Sequence, residues 1–374
     1  MRPIIKVVQR LAPKQSEIVD YLLRRIISGE LPPGSRIPSL NEMTIQFRTT
    51  ANTAQLAVNR LRQEGYVTTV QGKGKYVADN PPHLTNFGLV FEPEPQSSRY
   101  LEAWQKEAER ANAHPAGSPR RRVVTYCMSD RASAIKAHEE LVAALRACRL
   151  AGLIFPLHPL AFAGTPVLDE PDVPRVTVAD VALPDVHCIR LEPVRGKMLD
   201  YLARHGRRRI ASLFISVPWD TSGDISKLIE EASARGMVIK RHWVQGVSHY
   251  PPCWAANCAE LLMRCDPSDR PDALMIMDEN LVPAATAGLL AAGVRVPEDV
   301  LVVARTSFPY PTPSAVPAKR IGYNIREMLG TCLNIIDRCR RGGNVPQVTV
   351  AKAYWDDELQ ASFGEANGES DTAR

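Results

Sequence analysis

The sequence predicts an α/β chain in two parts. A small head of three helices and a hairpin comes first, followed by a large, two-lobed body wound around parallel sheets. Three observations carry this. Residues 16–78 hold three amphipathic helical patterns and then two short strand-like runs around glycines. From residue 86 onward, short apolar runs alternate with helical patterns, as repeated β-α units require. The charge is also divided: residues 1–80 carry 12 Lys and Arg against 6 Asp and Glu, while the remainder carries 34 against 35. All the excess positive charge of a chain with net +5 therefore sits in the head, as binding to a polyanion requires.

In the head, "SEIVDYLLRRIISG" puts Ile18, Leu22 and Ile26 on one face, with Ser16 as the expected N-cap and Gly29 as the stop. "LPPGSRIP" is a turn. Ser39 and Glu42 have the spacing of a capping box, so a second helix should run from Ser39 to about Phe47. Thr50 caps a third, "ANTAQLAVNRLRQE", which buries Ala54, Ala57, Val58 and Leu61 and leaves Asn52, Thr53, Gln55 and Asn59 outward. "YVTTV" and "KYVA" read as strands joined across "QGKG", with glycines where positive φ is needed. Three helices and a hairpin make a winged helix-turn-helix. The amides and hydroxyls of its third helix can face base edges in a major groove.

"ADNPPHLTN" is a proline-stiffened joint, and residues 79–85 read as the linker between a head at 12–78 and a body at 86–362. Strands are expected at "FGLVF", "RRVVTYCM", "LAGLIFPL", "PRVTVAD", "HCIRLE", "RIASLFIS", "DALMIMD" and "DVLVVAR". Helices are expected at "RYLEAWQKEAERA", "SAIKAHEELVAALRAC", "GKMLDYLARHG", "ISKLIEEASARGM" and "VPAATAGLLAAG". The alternation gives a doubly wound parallel sheet, and the length allows two lobes. Ligands of such sheets sit outside the carboxyl ends of strands. The polar tail at 363–374 is expected to be disordered.

"SGELPPGSRIPSLNEMTIQFRTTANTAQLAVNRLRQEGYVTTVQGKGKYV" resembles the DNA-binding domain of GntR-family regulators. The resemblance runs through their G-x-L-x-P-G-x-x-L-P-S stretch, their helix-turn-helix and their G-x-G-x-[FY]-V wing. Where family members usually carry arginine, this chain has Ala51 after Thr50, Gln55 four positions on, and Asn41 in the second helix. The guanidinium groups that most often read guanine are thus missing, and Asn52, Gln55 and Asn59 are left to read bases, with a tilt towards adenine. The resemblance implies phosphate positioning by Arg36, Arg48, Lys73 and Lys75, with Ser39, Thr50, Thr53, Gln71 and Gly72 completing the DNA-facing set. Lys73 and Lys75 alternate with glycines but lack the strand, spacing and following helix of a nucleotide-binding P-loop, so "GKGK" reads as a wing tip.

In the body, "YLARHGRRRIASLF" and "PDALMIMDENLVPAATAGLLAAGVRVPEDVLVVA" resemble the effector domain of LacI-type regulators, a fold related to periplasmic sugar-binding proteins. A GntR-type head on such a body is the arrangement of arabinose-responsive repressors. It implies a hinge crossed more than once, a small effector in the interlobe cleft, and a homodimer on a two-fold duplex operator. The ligand residues depart from the family pattern. Ala304-Arg305-Thr306-Ser307 stands where Gly-[FY]-Asp-Asp is common, Arg190 lies in place of an Asp-Asn pair, and Asp224 falls near the family's arginine. Asp278 and Glu279 keep acceptors at a helix start, Trp219 and Asp220 offer a platform and a carboxylate, and Phe91 and Asp130 lie at the ends of first-lobe strands. Two readings follow. Either Arg305 or Arg190 recognises an acidic sugar-like effector, or these arginines pair with Asp278, Glu279 or Asp180 and hold the lobes together.

The enzymatic alternative is a GntR-type fusion to a pyridoxal-phosphate aminotransferase. Its only Ser-Lys candidate, Ser226-Lys227, puts the lysine near the edge of a helix rather than in a pocket. The eight cysteines show no C-x-x-C, and the eight histidines no metal-ligand spacing, so no metal, cofactor or catalytic set is expected. No apolar run approaches the ~20 residues of a membrane span, and no signal peptide opens the chain, which reads as cytoplasmic.

Overall fold

A computed structural model describes residues 12–113, 121–128, 131–215 and 222–359. The tail at 363–374 and three residues of the expected effector set, Asp130, Trp219 and Asp220, lie outside them.

The head comprises α1 (Pro13–Ile27), α2 (Leu40–Phe47), α3 (Ala51–Gln63), β1 (Val67–Val70) and β2 (Gly74–Val77). α1 begins a turn earlier than its sequence suggests, because Pro13 supplies a preset first helical residue and the Ser16 amide bonds the Ala12 carbonyl. Ser16 is therefore inside the helix and caps nothing. α2 opens on the expected capping box, with the Glu42 amide donating to Ser39 Oγ at 3.2 Å and the Ser39 amide to the Glu42 carboxylate at 2.7 Å. β1 and β2 are antiparallel, and Val70 faces Gly74, so the connection is the three residues Gln71, Gly72 and Lys73 rather than four. Gly74 has φ +127°, which favours glycine, and a Cβ there would press on the movable Arg36 side chain, 3.2 Å from its Nε. Ile18, Leu22, Met43, Phe47, Val58, Leu61 and Tyr66 make a core belonging to the head alone.

Between head and body, α4 (Pro82–Thr85) is one helical turn in which Pro82, His83 and Thr85 are buried. The expected linker is thus a packed joint. Tyr66 donates its hydroxyl to the carbonyls of Ala147 and Cys148 at 3.1 and 2.6 Å, and its ring stacks on His83.

The first lobe contains β3 (Asn86–Phe91), α5 (Arg99–Ala113), β4 (Arg122–Cys127), α6 (Arg131–Arg146), β5 (Gly152–Phe155), α7 (Pro166–Asp169), β6 (Arg175–Val178) and β7 (His187–Leu191). The second contains α8 (Arg195–Arg204), β8 (Ile210–Ile215), α9 (Ser222–Ser233), β9 (Val244–Val247), α10 (Cys253–Met263), β10 (Ala273–Ile276), α11 (Val282–Ala291), β11 (Leu301–Phe308) and β12 (Lys319–Asn324). α12 (Ile325–Arg340) returns to pack on the first lobe, β13 (Val348–Ala351) joins the first sheet, and β14 (Ala353–Trp355) edges the second. The sheet orders are β13-β7-β6-β5-β3-β4 and β14-β12-β11-β10-β8-β9, parallel except for the β12–β14 pair. The chain therefore passes between lobes after β7, at the β12–α12 junction and between β13 and β14, as a hinge crossed more than once requires.

Candidate nucleic-acid interface and effector cleft

In the head, the outward face of α3 and the wing are tied together. Thr50 caps α3 by accepting from the Thr53 amide at 3.2 Å, and the two hydroxyls lie 3.0 Å apart. Lys75 Nζ donates to Gln55 Oε1 at 2.7 Å, and Gln55 Nε2 donates to Asn59 Oδ1 at 2.8 Å. The hairpin thereby fixes the orientation of Gln55 and Asn59, two of the three amides expected to read bases. Burial, with repulsion from Arg62, lowers the Lys75 pKa from its ordinary value.

Asn41, Asn52, Arg36, Arg48, Gln71, Gly72 and Lys73 are exposed around this centre. Arg48 is the αL residue closing α2, at φ 46°. Ser39 has spent its hydroxyl on the capping box and serves the helix first. Among the described residues, no carboxylate lies within ion-pair distance of Arg36, Arg48, Lys73 or Lys75, although Arg25 and Arg60 of the same head pair with Glu30 and Glu64. Cations held apart from carboxylates keep their charge available to phosphates.

Two residues escaped the sequence reading. Leu56 is exposed on α3 one turn after Asn52, where an apolar side chain suits a thymine methyl, and Arg62 is exposed and unpaired among the described residues beside Lys75. The helical period alone put Leu56 outward; its hydrophobicity hid it.

In the body, two compartments open between the lobes. The larger, about 950 Å³, reaches along the second lobe past Phe214, Ile225 and Tyr323. The smaller, about 290 Å³, is lined by Tyr100 and Pro156 of the first lobe and by Asp278 and Glu279 of the second. Asp180, Leu191 and Arg305 line both. Asp278 accepts from the Asn280 amide at 2.9 Å, which starts the turn before α11. Glu279 is buried and accepts from the Ser307 amide and hydroxyl at 2.9 and 2.5 Å; burial outweighs these bonds and pushes its pKa up to about 7.

The expected effector residues divide accordingly. Asp278, Glu279 and Arg305 come together. Phe91 instead packs in the first-lobe core, and Arg190 is exposed on β7 opposite Val350, away from both compartments. The period of two explains Arg190: its neighbours Ile189 and Leu191 point to the other face. Lys227 stands exposed at the rim of the larger compartment. Of the two other cleft residues, Asp180 was within reach of sequence reasoning and Tyr323 was not. Asp180 follows the carboxyl end of β6, but Tyr323 lies in a strand, "KRIGYN", that the apolar pattern does not reveal.

A winged helix-turn-helix with a basic wing, joined to a two-lobed clefted body, defines a DNA-binding transcription regulator of chimeric build. Residues 14–77 match the family described as bacterial regulatory proteins, gntR family, and residues 199–350 match the periplasmic binding protein-like domain. The chain is 24% identical over 356 residues to the arabinose metabolism transcriptional repressor of Geobacillus stearothermophilus, covering 86% of this chain and 91% of that protein. Its head is 34% identical over 71 residues to the HTH-type transcriptional regulator YhcF of Bacillus subtilis, over 19% of this chain and 59% of that one. Among solved structures, a LacI family regulator from Lactobacillus casei with bound sucrose matches 73% of this chain and 98% of its own, with TM-score 0.54 and 20% identity. One from Chloroflexus aggregans matches 72% and 96%, with TM-score 0.53 and 15% identity. These last two bear on the fold.

Proposed function

We propose that this chain is a cytoplasmic transcriptional repressor that grips a two-fold operator as a homodimer and lets go when a small sugar-like molecule fills the interlobe cleft. The observation that carries the reading is the Lys75–Gln55–Asn59 chain. It welds a basic wing to a helix face bearing amides and hydroxyls, the groups that meet phosphates and base edges respectively. The similarity to an arabinose metabolism repressor over most of both chains supports the repressor role and a sugar-like effector. For the dimer, α10 and α11 pack together and present Trp254, Leu261 and Leu290, which are 59, 71 and 63% exposed. Large apolar side chains grouped on one helix pair need a cover, and a second copy supplies one by the self-complementarity of a two-fold interface.

Release requires only that the effector prefer a lobe arrangement that misplaces the two heads. The head is bonded to the first lobe through Tyr66, so lobe motion has a path to it. The test is an anisotropy titration of a selected duplex by the full-length protein, repeated with sugars added. Binding that weakens with one sugar and not with its epimers is expected. Sequence-independent binding that no sugar alters would refute the proposal.

A further inference from the structure

β11 runs through the second sheet with every residue buried except Arg305, whose position opens into both compartments of the cleft. Its guanidinium lies over the Tyr323 ring, 5.4 Å from the centroid. Among the described residues it has no carboxylate within ion-pair distance, whereas the other cleft arginines are satisfied. Arg195 grips Glu231 at 2.8 and 3.0 Å, and Arg235 bonds Asp200 at 2.6 Å.

Among the nearby acids, Asp180 lines the same compartments but lies beyond ion-pair distance of Arg305, and the other two are engaged elsewhere. Glu279 is turned onto Ser307, and Asp278 caps Asn280 through its amide and side chain at 2.9 and 2.8 Å. Burial favours the protonated, uncharged form of Glu279, which leaves it a poor counter-ion. A half-buried guanidinium without an anion is costly to keep, and an aromatic face offsets only part of that cost. The fork of donors points into space sized for a ligand.

We infer that Arg305 binds an anionic oxygen group of the effector, a carboxylate or a phosphate, while Asp180 and Asp278 accept from its hydroxyls. The effector is then a sugar acid or sugar phosphate rather than a neutral sugar. This rests on the cleft being the effector site proposed above. A planar fork holding two oxygens discriminates charge and geometry together, so lysine replaces it only in part.

The experiment is calorimetry on the full-length protein with D-galacturonate, D-gluconate, D-glucose 6-phosphate, D-galactose, L-arabinose and D-glucose. The same titrations follow with Arg305→Gln and Arg305→Lys, each first shown to keep the wild-type melting temperature and DNA affinity. At least one acid should bind and its neutral parent should not. Arg305→Gln should weaken that acid by about 100-fold, and Arg305→Lys by less. The arm that binds distinguishes carboxylate from phosphate. Neutral sugars that bind and release DNA while the acids do nothing would overturn the anion assignment and leave the proposed function standing. An acid whose affinity ignores Arg305→Gln would likewise overturn the residue's role. If no compound in the panel binds, the effector reading falls, and this inference with it.

Discussion

Acidification should loosen the joint between head and body, because His83 is held there as a neutral ring. It is 2% exposed, stacked on Tyr66 with ring centroids 5.8 Å apart, and its Nδ1 has no hydrogen-bond partner. Burial, with Arg340 nearby, lowers its pKa from 6.5 to about 4. Above the unfolded value neither state is charged and the joint keeps its full strength. As pH falls below it, the released ring takes a proton that the buried ring refuses, so stability drains away until the folded pKa is reached. A shift of this size corresponds to about 3 kcal/mol in total, and about 2 kcal/mol is already lost near pH ~5. Hydrogen-exchange protection factors of the amides around Tyr66 and Cys148 should follow that curve. His83→Phe keeps an aromatic ring against Tyr66 but removes the titration, and its protection factors should stay flat over the same range. Parallel curves for the two proteins would show that His83 does not carry the pH dependence.

Glu279 gives the opposite sign. Its pKa is raised, so stability is lost as pH rises from the ordinary carboxylate value through about 7. Glu279→Gln should abolish a loss of up to about 3 kcal/mol in thermal unfolding of the body. Replacing Lys73 and Lys75 with alanine removes four cations from a dimer and should make the salt dependence of DNA binding shallower by about 3 to 4 log units per log salt. Ser39→Ala breaks the capping box and should cost the head about 1 kcal/mol, read from denaturant midpoints. Trp254→Glu with Leu261→Glu should leave a folded monomer in sedimentation. A persistent dimer would move the interface elsewhere.

The head was almost wholly legible because each boundary has a local chemical marker: Ser39 with Glu42, Thr50, and glycines at positive φ. α1 departs from the pattern because proline at its first turn outweighs a serine cap. The body was legible as alternation but not in full. β9 is interrupted by Gln245 and Gly246. α10, "CWAANCAELLM", opens without a side-chain cap, on Pro252. β12 mixes Lys319, Arg320 and Gly322 into a strand held by its neighbours rather than by its own pattern. The reading face of α3 followed from helical period, but the Lys75–Gln55 bond did not, since it joins residues 20 apart through a turn whose register the sequence leaves open. In the cleft, charge type was visible and partnership was not. That Arg305 meets Tyr323 and, among the described residues, no carboxylate, while Glu279 turns to Ser307, is a matter of side-chain direction.

The most direct measurement is selection of bound sites from random duplex DNA by the full-length protein at low ionic strength. Two copies of one short half-site in inverted orientation, richer in adenine contacts than in guanine, are the predicted outcome. Retention of no duplex, or of every duplex equally, would contradict the claim that this head reads DNA.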